Sequence, residues 1–181
     1  MLEPQTPTTR TVLVPYAAIH DEKTVAWLNS DDLKATFGLR RIVDRQSHRA
    51  WVQAATDTHI WAILDQQGQH VGNVLLKVNE RHRSGYFQIY IGESSARGCG
   101  LGDQALQATL HQAFGALGLH RVWLHTLPGN ERAENLYRKH GFVLEGIERE
   151  ALLVNGSFVS QQCWSILQQE WAQTEQGRSV P

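Results

Sequence analysis

Between Tyr86 and Phe142 the side-chain period changes from two to helical and back, and a run of glycines marks the first change. From Tyr86 to Gly92, Tyr86, Gln88 and Tyr90 alternate with Phe87, Ile89 and Ile91, which is the period of a strand. Arg97-Gly98-Cys99-Gly100-Leu101-Gly102 follows, and then Leu101, Ala105, Leu106, Leu110, Ala113, Phe114 and Leu117 recur at helical spacing up to Gly118. His120–Leu127 reads as a strand again. A strand, helix, strand unit with so short a link is parallel and right-handed. Pro128-Gly129-Asn130 breaks the second strand. Asn130 is placed as an N-cap for a helix on which Ala133, Leu136, Tyr137 and His140 share one face, and Gly141 is its left-handed stop.

The flanking segments are read in chain order. Met1–Arg10 is expected as a loose tail and Thr11–Pro15 as a first strand. A helix over Ala17–Asn29 and a short one over Leu33–Leu39 follow. The next helix spans Asp44–Thr56, with Asp44 as cap and Ala50, Trp51, Ala54 and Ala55 on one face. Trp27 and Trp51 are taken as core residues. His59–Leu64 and His70–Asn79 are strands joined through Asp65-Gln66-Gln67-Gly68, and with Tyr86–Gly92 they make an antiparallel meander. Phe142–Val154 and Ser157–Leu167 form a last hairpin through Asn155-Gly156, and Gln168–Pro181 is a polar tail that frays beyond Trp171. The architecture is therefore a mixed α/β sheet, mostly antiparallel, with one central parallel crossover. One domain over 11–168 lies between tails at 1–10 and 169–181.

Composition bounds function more by exclusion. The 181 residues are 41% hydrophobic, enough for a real core, and the formal net charge is -1. Nothing there suggests a nucleic-acid partner, which needs clustered Lys and Arg. No window approaches the roughly 18 apolar residues of a membrane span, and the polar start carries no apolar signal run. Two cysteines make neither a disulfide framework nor a zinc site, and no histidine–carboxylate cluster has metal-site spacing. The expectation is a cytoplasmic protein, monomer or homodimer, without a metal.

The glycine turn has a chemical use. Glycine admits backbone conformations that other residues avoid, and it lets amide N–H groups approach a ligand. The helix that follows adds unsatisfied donors and a positive dipole end, which together suit a pyrophosphate, with Arg97 as a counter-charge. A dinucleotide turn would need an acidic residue about 20 positions on, where Thr126 and Leu127 stand instead. A Walker A loop would need Gly-Lys-Ser/Thr, which is absent. Taken alone, the turn is equally well a purely structural one.

Arg97-x-x-Gly100-x-Gly102 followed by Asn130…Ala133…Leu136-Tyr137…Gly141-Phe142, in this strand order, resembles the GNAT superfamily of acyl-CoA-dependent N-acetyltransferases. The branch it looks most like includes ribosomal-protein N-terminal and amino-sugar acetyltransferases. The resemblance runs from about Thr11 to Leu167. It implies a seven-stranded mixed sheet with helices on both faces and a central βαβ unit that holds acetyl-CoA. Strand residues Ile89, Tyr90 and Ile91 through Glu93 would pair with the pantetheine arm. Amides of Arg97, Gly98, Cys99, Gly100, Leu101, Gly102 and Asp103 would hold the pyrophosphate, and Asn130 would touch the cofactor where the fifth strand splays from the fourth. Cys99 is read as a small filler and not a nucleophile. Tyr137 matches the general acid that protonates the leaving thiolate, and an amide such as that of Ile91 would face the oxyanion. For the base that frees the amine, Glu93 is the first candidate and His125 the second. Asp21 and Glu22 are candidates for attracting a cationic substrate. The implied activity is acetyl transfer from acetyl-CoA to a primary amine, a protein N-terminus or a small-molecule amine such as an amino sugar, by direct attack in a ternary complex. The alternatives are a non-catalytic acyl-CoA-binding regulatory module and, further off, a Rossmann-type nucleotide enzyme.

Overall fold

The computed structural model describes residues 12–31, 33–34, 41–154 and 156–178. Its strands are β1 (Val12–Pro15), β2 (Thr58–Leu64), β3 (His70–Asn79), β4 (Ser84–Ile91), β5 (Arg121–Thr126), β6 (Val143–Val154) and β7 (Ser157–Leu167). The α-helices among the described residues are α1 (Asp21–Leu28), α2 (Arg45–Ala54), α3 (Leu101–His111), α4 (Glu131–Lys139) and α5 (Gln168–Arg178). The strands form one seven-stranded sheet in the order β1-β2-β3-β4-β5-β7-β6. Every neighbouring pair is antiparallel except β4 and β5. The mixed sheet and its single parallel crossover are as the sequence predicts.

Side-chain alternation assigns the two faces. Val74, Leu76 and Phe87 point to one face, where Leu101, Ala105, Leu106, Leu110 and Phe114 meet them together with Val122 and Leu124. Leu76, Phe87, Leu106 and Leu110 are at most 1% exposed, and burying each stabilises the fold by about 2 kcal/mol. Asn73 and Tyr90 point to the opposite face, where Asn73 donates to Thr24 Oγ1 of α1 at 2.9 Å and Tyr90 meets the Trp27 ring edge-on. Helices therefore cover both faces.

Where β4 meets β5, only Ser84, Gly85 and Tyr86 have partners, opposite Arg121, Val122 and Trp123. β4 then stays with β3 as far as Ile91, while β5 stays with β7 as far as Thr126. The sheet parts at this point, and a V-shaped opening begins just past Tyr86.

Several expectations need correction. The helix after the glycines is not uniform: its last turn, Gln112–Ala116, is a π-turn in which Leu117 N–H bonds Gln112 O at 2.9 Å. α2 is capped by Asp44 as expected, its side chain accepting from Ser47 N at 2.9 Å, but the face it buries is that of His48. Trp51 is 48% exposed and is not core. The C-terminal segment is helical through Arg178 rather than a frayed tail, because Trp171 packs on the core against Phe114 with ring centroids 5.3 Å apart. The first helix is split into a 3-10 turn over Ala18–His20 and α1. The tail at 1–10, most of the short helix expected over Leu33–Leu39, and Asn155 lie outside the described residues. Among the described residues no helix is long and apolar enough to cross a membrane.

Candidate active site

The opening between β4 and β5 widens into a cleft of about 810 Å3. Its floor is β4 from Tyr86 to Ile91. One end is the glycine turn with Arg97, Gly98, Gly100, Leu101, Gly102 and Asp103, and the far wall is Asn130 and Tyr137 of the α4 region with His125 of β5.

Gly98 and Gly100 have φ of +88° and +78°, and a Cβ at either would meet nothing within 4 Å. Glycine is needed here for the left-handed backbone and not for space. Gly100 is the residue before α3 and turns the chain so that the first helical amides face the cleft end. Arg97 is anchored by its Nε, which donates to Ile91 O at 3.0 Å. Asp103 stands in the same turn. Burial works to raise its pKa, but hydrogen bonds from Lys139 (2.7 Å) and His140 (2.9 Å) win and hold it below the ordinary value. Its charge is thus matched before any anionic ligand arrives.

Past Tyr86, β4 has a neighbouring strand only on the β3 side, so its other backbone edge faces the cleft. Ile89 and Ile91 pack on the core, while the Tyr90 hydroxyl accepts from Asn73 Nδ2 at 2.7 Å on the other face. The contribution of this stretch to a ligand is therefore its backbone. Asn130 caps α4, with Oδ1 accepting from Ala133 N at 3.2 Å. That cap sets the helix phase that brings Tyr137 to the cleft. Tyr137 is 7% exposed and lies against Phe142. Burial, and secondarily the nearby Tyr86, push its pKa up to about 12, so it stays a protonated phenol at any ordinary pH.

Around His125 lies a polar constellation that sequence reading saw only in part. The Tyr86 hydroxyl is 3.4 Å from His125 Nδ1. His125 Nε2 is buried and 3.3 Å from Glu148 Oε2, a distance for an ion pair, yet the geometry does not make a hydrogen bond and leaves the nitrogen without a hydrogen-bond partner. Glu148 in turn accepts from Gln161 Nε2 at 2.5 Å. His125, Glu148 and Cys163 place donor atoms within 4.8 Å of one another. Burial and then Glu145 raise the Cys163 thiol and keep it protonated, and the Glu148 oxygen is already engaged by Gln161.

Of the residues predicted from sequence, Ile89, Tyr90, Ile91, Arg97, Gly98, Gly100, Leu101, Gly102, Asp103, Asn130, Tyr137 and His125 all line this cleft. Glu93 and Cys99 do not. They border a separate hollow with Lys23, Asp65 and Gln69, because Glu93 N bonds Val71 O and carries the chain away from the cleft. Asp21 is 1% exposed and committed to Arg49 and Tyr16, so it cannot receive a cationic ligand. Glu22 is exposed on α1 and does not border the cleft.

A family model described as Acetyltransferase (GNAT) domain matches residues 10–143. The chain belongs to the GNAT acetyltransferase family. It is similar to a spermidine N(1)-acetyltransferase of Vibrio cholerae, with 33% identity over 61% of this chain and 64% of the relative. It is also similar to one of Escherichia coli K12, with 32% identity over 53% of this chain and 52% of the relative. The chain thus matches about half to two thirds of the length of these curated relatives. Among solved structures, spermidine N-acetyltransferase from Vibrio cholerae in complex with CoA and spermine superimposes with a TM-score of 0.84 at 23% identity. That alignment covers 90% of this chain and 98% of that one.

Proposed function

We propose that the protein transfers acetyl from acetyl-CoA to a primary amine by direct attack in a ternary complex. The observation that carries the reading is the parting of β4 from β5 with the left-handed glycine turn at one end and the Tyr137 phenol at the wall. Acetyl-CoA supplies an activated thioester carbonyl when bound. The residues present suit it: first-turn amides of Leu101, Gly102 and Asp103 for the diphosphate, and the unpaired edge of β4 for the arm. A backbone amide at the end of β4 is placed to face a developing oxyanion. Tyr137 holds its proton to high pH and can give it to a departing sulfur.

The acceptor is a primary amine, and the spermidine acetyltransferases among the relatives make spermidine the first to try. Among the described residues, the acceptor side of the cleft is lined by Tyr86, Gln88, His125 and Gln161 and by no carboxylate, with Glu148 behind His125. A polycation would be better served by several acids, so amino sugars and peptide N-termini belong in the same panel. The test is release of free thiol from acetyl-CoA with each amine, together with binding of CoA itself. Thiol release with one amine and not without it supports the reading. CoA binding at about millimolar concentration with no transfer to any amine would leave a binding module instead.

A further inference from the structure

The cleft has a proton donor in Tyr137, but the acceptor amine also has to lose a proton before it can attack, and Glu93 lies outside the cleft. On the acceptor side Tyr86, His125 and Glu148 stand in line. We propose that this line is the route by which the amine is deprotonated: the Tyr86 hydroxyl meets the ammonium, His125 receives the proton, and Glu148 positions the ring. The inference rests on the transferase reading above and names its missing base.

Geometry carries it. Tyr86 is the last β4 residue paired with β5, so its ring stands at the apex of the opening, where a thioester crossing the sheet would lie. Its hydroxyl is 3.4 Å from His125 Nδ1, and its ring is packed against Trp123 at 4.5 Å between centroids, which fixes the phenol's direction. His125 Nε2 is buried, so a substrate cannot reach it directly. The ring is therefore addressed through Nδ1 and Tyr86, with the Glu148 carboxylate 3.3 Å from its buried nitrogen as the nearest negative charge. The Glu148 carboxylate, about half exposed behind the ring, is held by a hydrogen bond from Gln161. Tyr86 is kept from ionising itself: burial first, and then the charges of Glu148 and Cys163, raise its pKa. It therefore passes a proton on and does not keep a charge.

The charged and titratable groups around His125 are Tyr86 on β4, Glu148 and Glu145 on β6, and Cys163 on β7. Arg121 on β5 is paired with Glu145, and Tyr137 on α4 lies beyond Tyr86. The Arg121–Glu145 pair neutralises itself, which leaves Glu148 as the carboxylate nearest the ring.

The protons balance. The ammonium gives one proton through Tyr86 to His125, which later returns it to solvent. The neutral amine forms the C–N bond as the C–S bond breaks. Tyr137 protonates the departing sulfur and recovers a proton from the product nitrogen, so one proton is released per turnover.

The experiment measures kcat/KM against pH for wild type, His125→Asn, Tyr86→Phe and Glu148→Gln with the amine found above, alongside CoA affinity. His125→Asn and Tyr86→Phe should each lose about 100-fold at about pH 7 with CoA affinity unchanged. Much of that loss should return near about pH 10, where the amine is already neutral. Glu148→Gln should lower kcat/KM by a smaller factor, about 10-fold at about pH 7, with CoA affinity unchanged, because the ring loses the carboxylate beside its buried nitrogen. A loss that is the same at every pH, in place of one that recovers as the amine becomes neutral, overturns the relay. An active wild type with unaffected variants removes the relay alone. A wild type inactive with every amine removes the transferase reading and the relay with it.

Discussion

Tyr137→Phe is the sharpest perturbation of the acid side of the site. The ring is buried against Phe142, and among the described residues its hydroxyl makes no hydrogen bond, so removing the oxygen should leave folding stability within about 1 kcal/mol. With a pKa near 12, the phenol is a weaker acid than an ordinary thiol of about 8.5. Full proton transfer to a thiolate would then run uphill by about 3.5 units, or roughly 5 kcal/mol. Such a donor helps mainly while the proton is shared in the transition state, and this argues for the lower end of the usual general-acid effect. The expected loss in kcat is about 100-fold, with CoA affinity unchanged. The same pKa means that Tyr137 contributes no alkaline limb to the kcat profile below about pH 11. Thiol release under saturating substrates, from about pH 6 to 10.5, measures both. An unchanged kcat, or a wild-type alkaline limb near about pH 8.5 that vanishes in Tyr137→Phe, would refute the reasoning, since the phenol would then be idle or titrating where the structure keeps it protonated.

Three predictions concern the frame around the site. A Cβ at Gly72 would sit 2.3 Å from the Tyr90 backbone oxygen, so Gly72→Ala should cost about 2–3 kcal/mol in chemical denaturation. Asp21→Asn leaves Arg49 without its carboxylate inside the α1–α2 contact and should lower stability by about 3 kcal/mol, read as a fall in Tm. The carboxyl of Glu145 is held down to about 2, first by hydrogen bonds from Arg121 and also by Ser165. A depressed folded pKa gives stability that is present above the unfolded value of about 4.3 and is lost as pH falls toward 2. Because the pair is partly exposed, Glu145→Gln should cost only about 0.5–1 kcal/mol near neutrality, and it should flatten the acid unfolding curve between about pH 4.5 and 2.

Most of the cofactor side was legible in the sequence, because it is made of local signals. Glycines at left-handed positions, an Asn cap three residues before Ala133 and a helical face ending in Tyr137 are each set within one turn of chain. The acceptor side was not legible, because it is made by register. His125 and Glu148 approach because β7 lies beside both their strands and because β6 slips between Leu144 and Gly146. A period-two pattern does not encode such a slip. Glu93 looked like the natural base because it follows the central strand, but its backbone bond to Val71 turns it aside. His48 is buried and Trp51 exposed for a similar reason: α2 is oriented by polar partners, Tyr16 and Asp21, whose attraction outweighs the apolar face of an isolated helix. The polarity of α5 concealed a helix held by one indole.

The family match ends at residue 143, whereas Leu152, Leu153, Val154 and Gln161, which line the cleft, all come later in the chain. Part of the wall that would greet the recipient is thus encoded after the stretch the family model spans, while Tyr86, Gln88 and His125 lie within it. On the proposed reading, point changes along the closing hairpin should retune which amine is admitted without disturbing the diphosphate cradle.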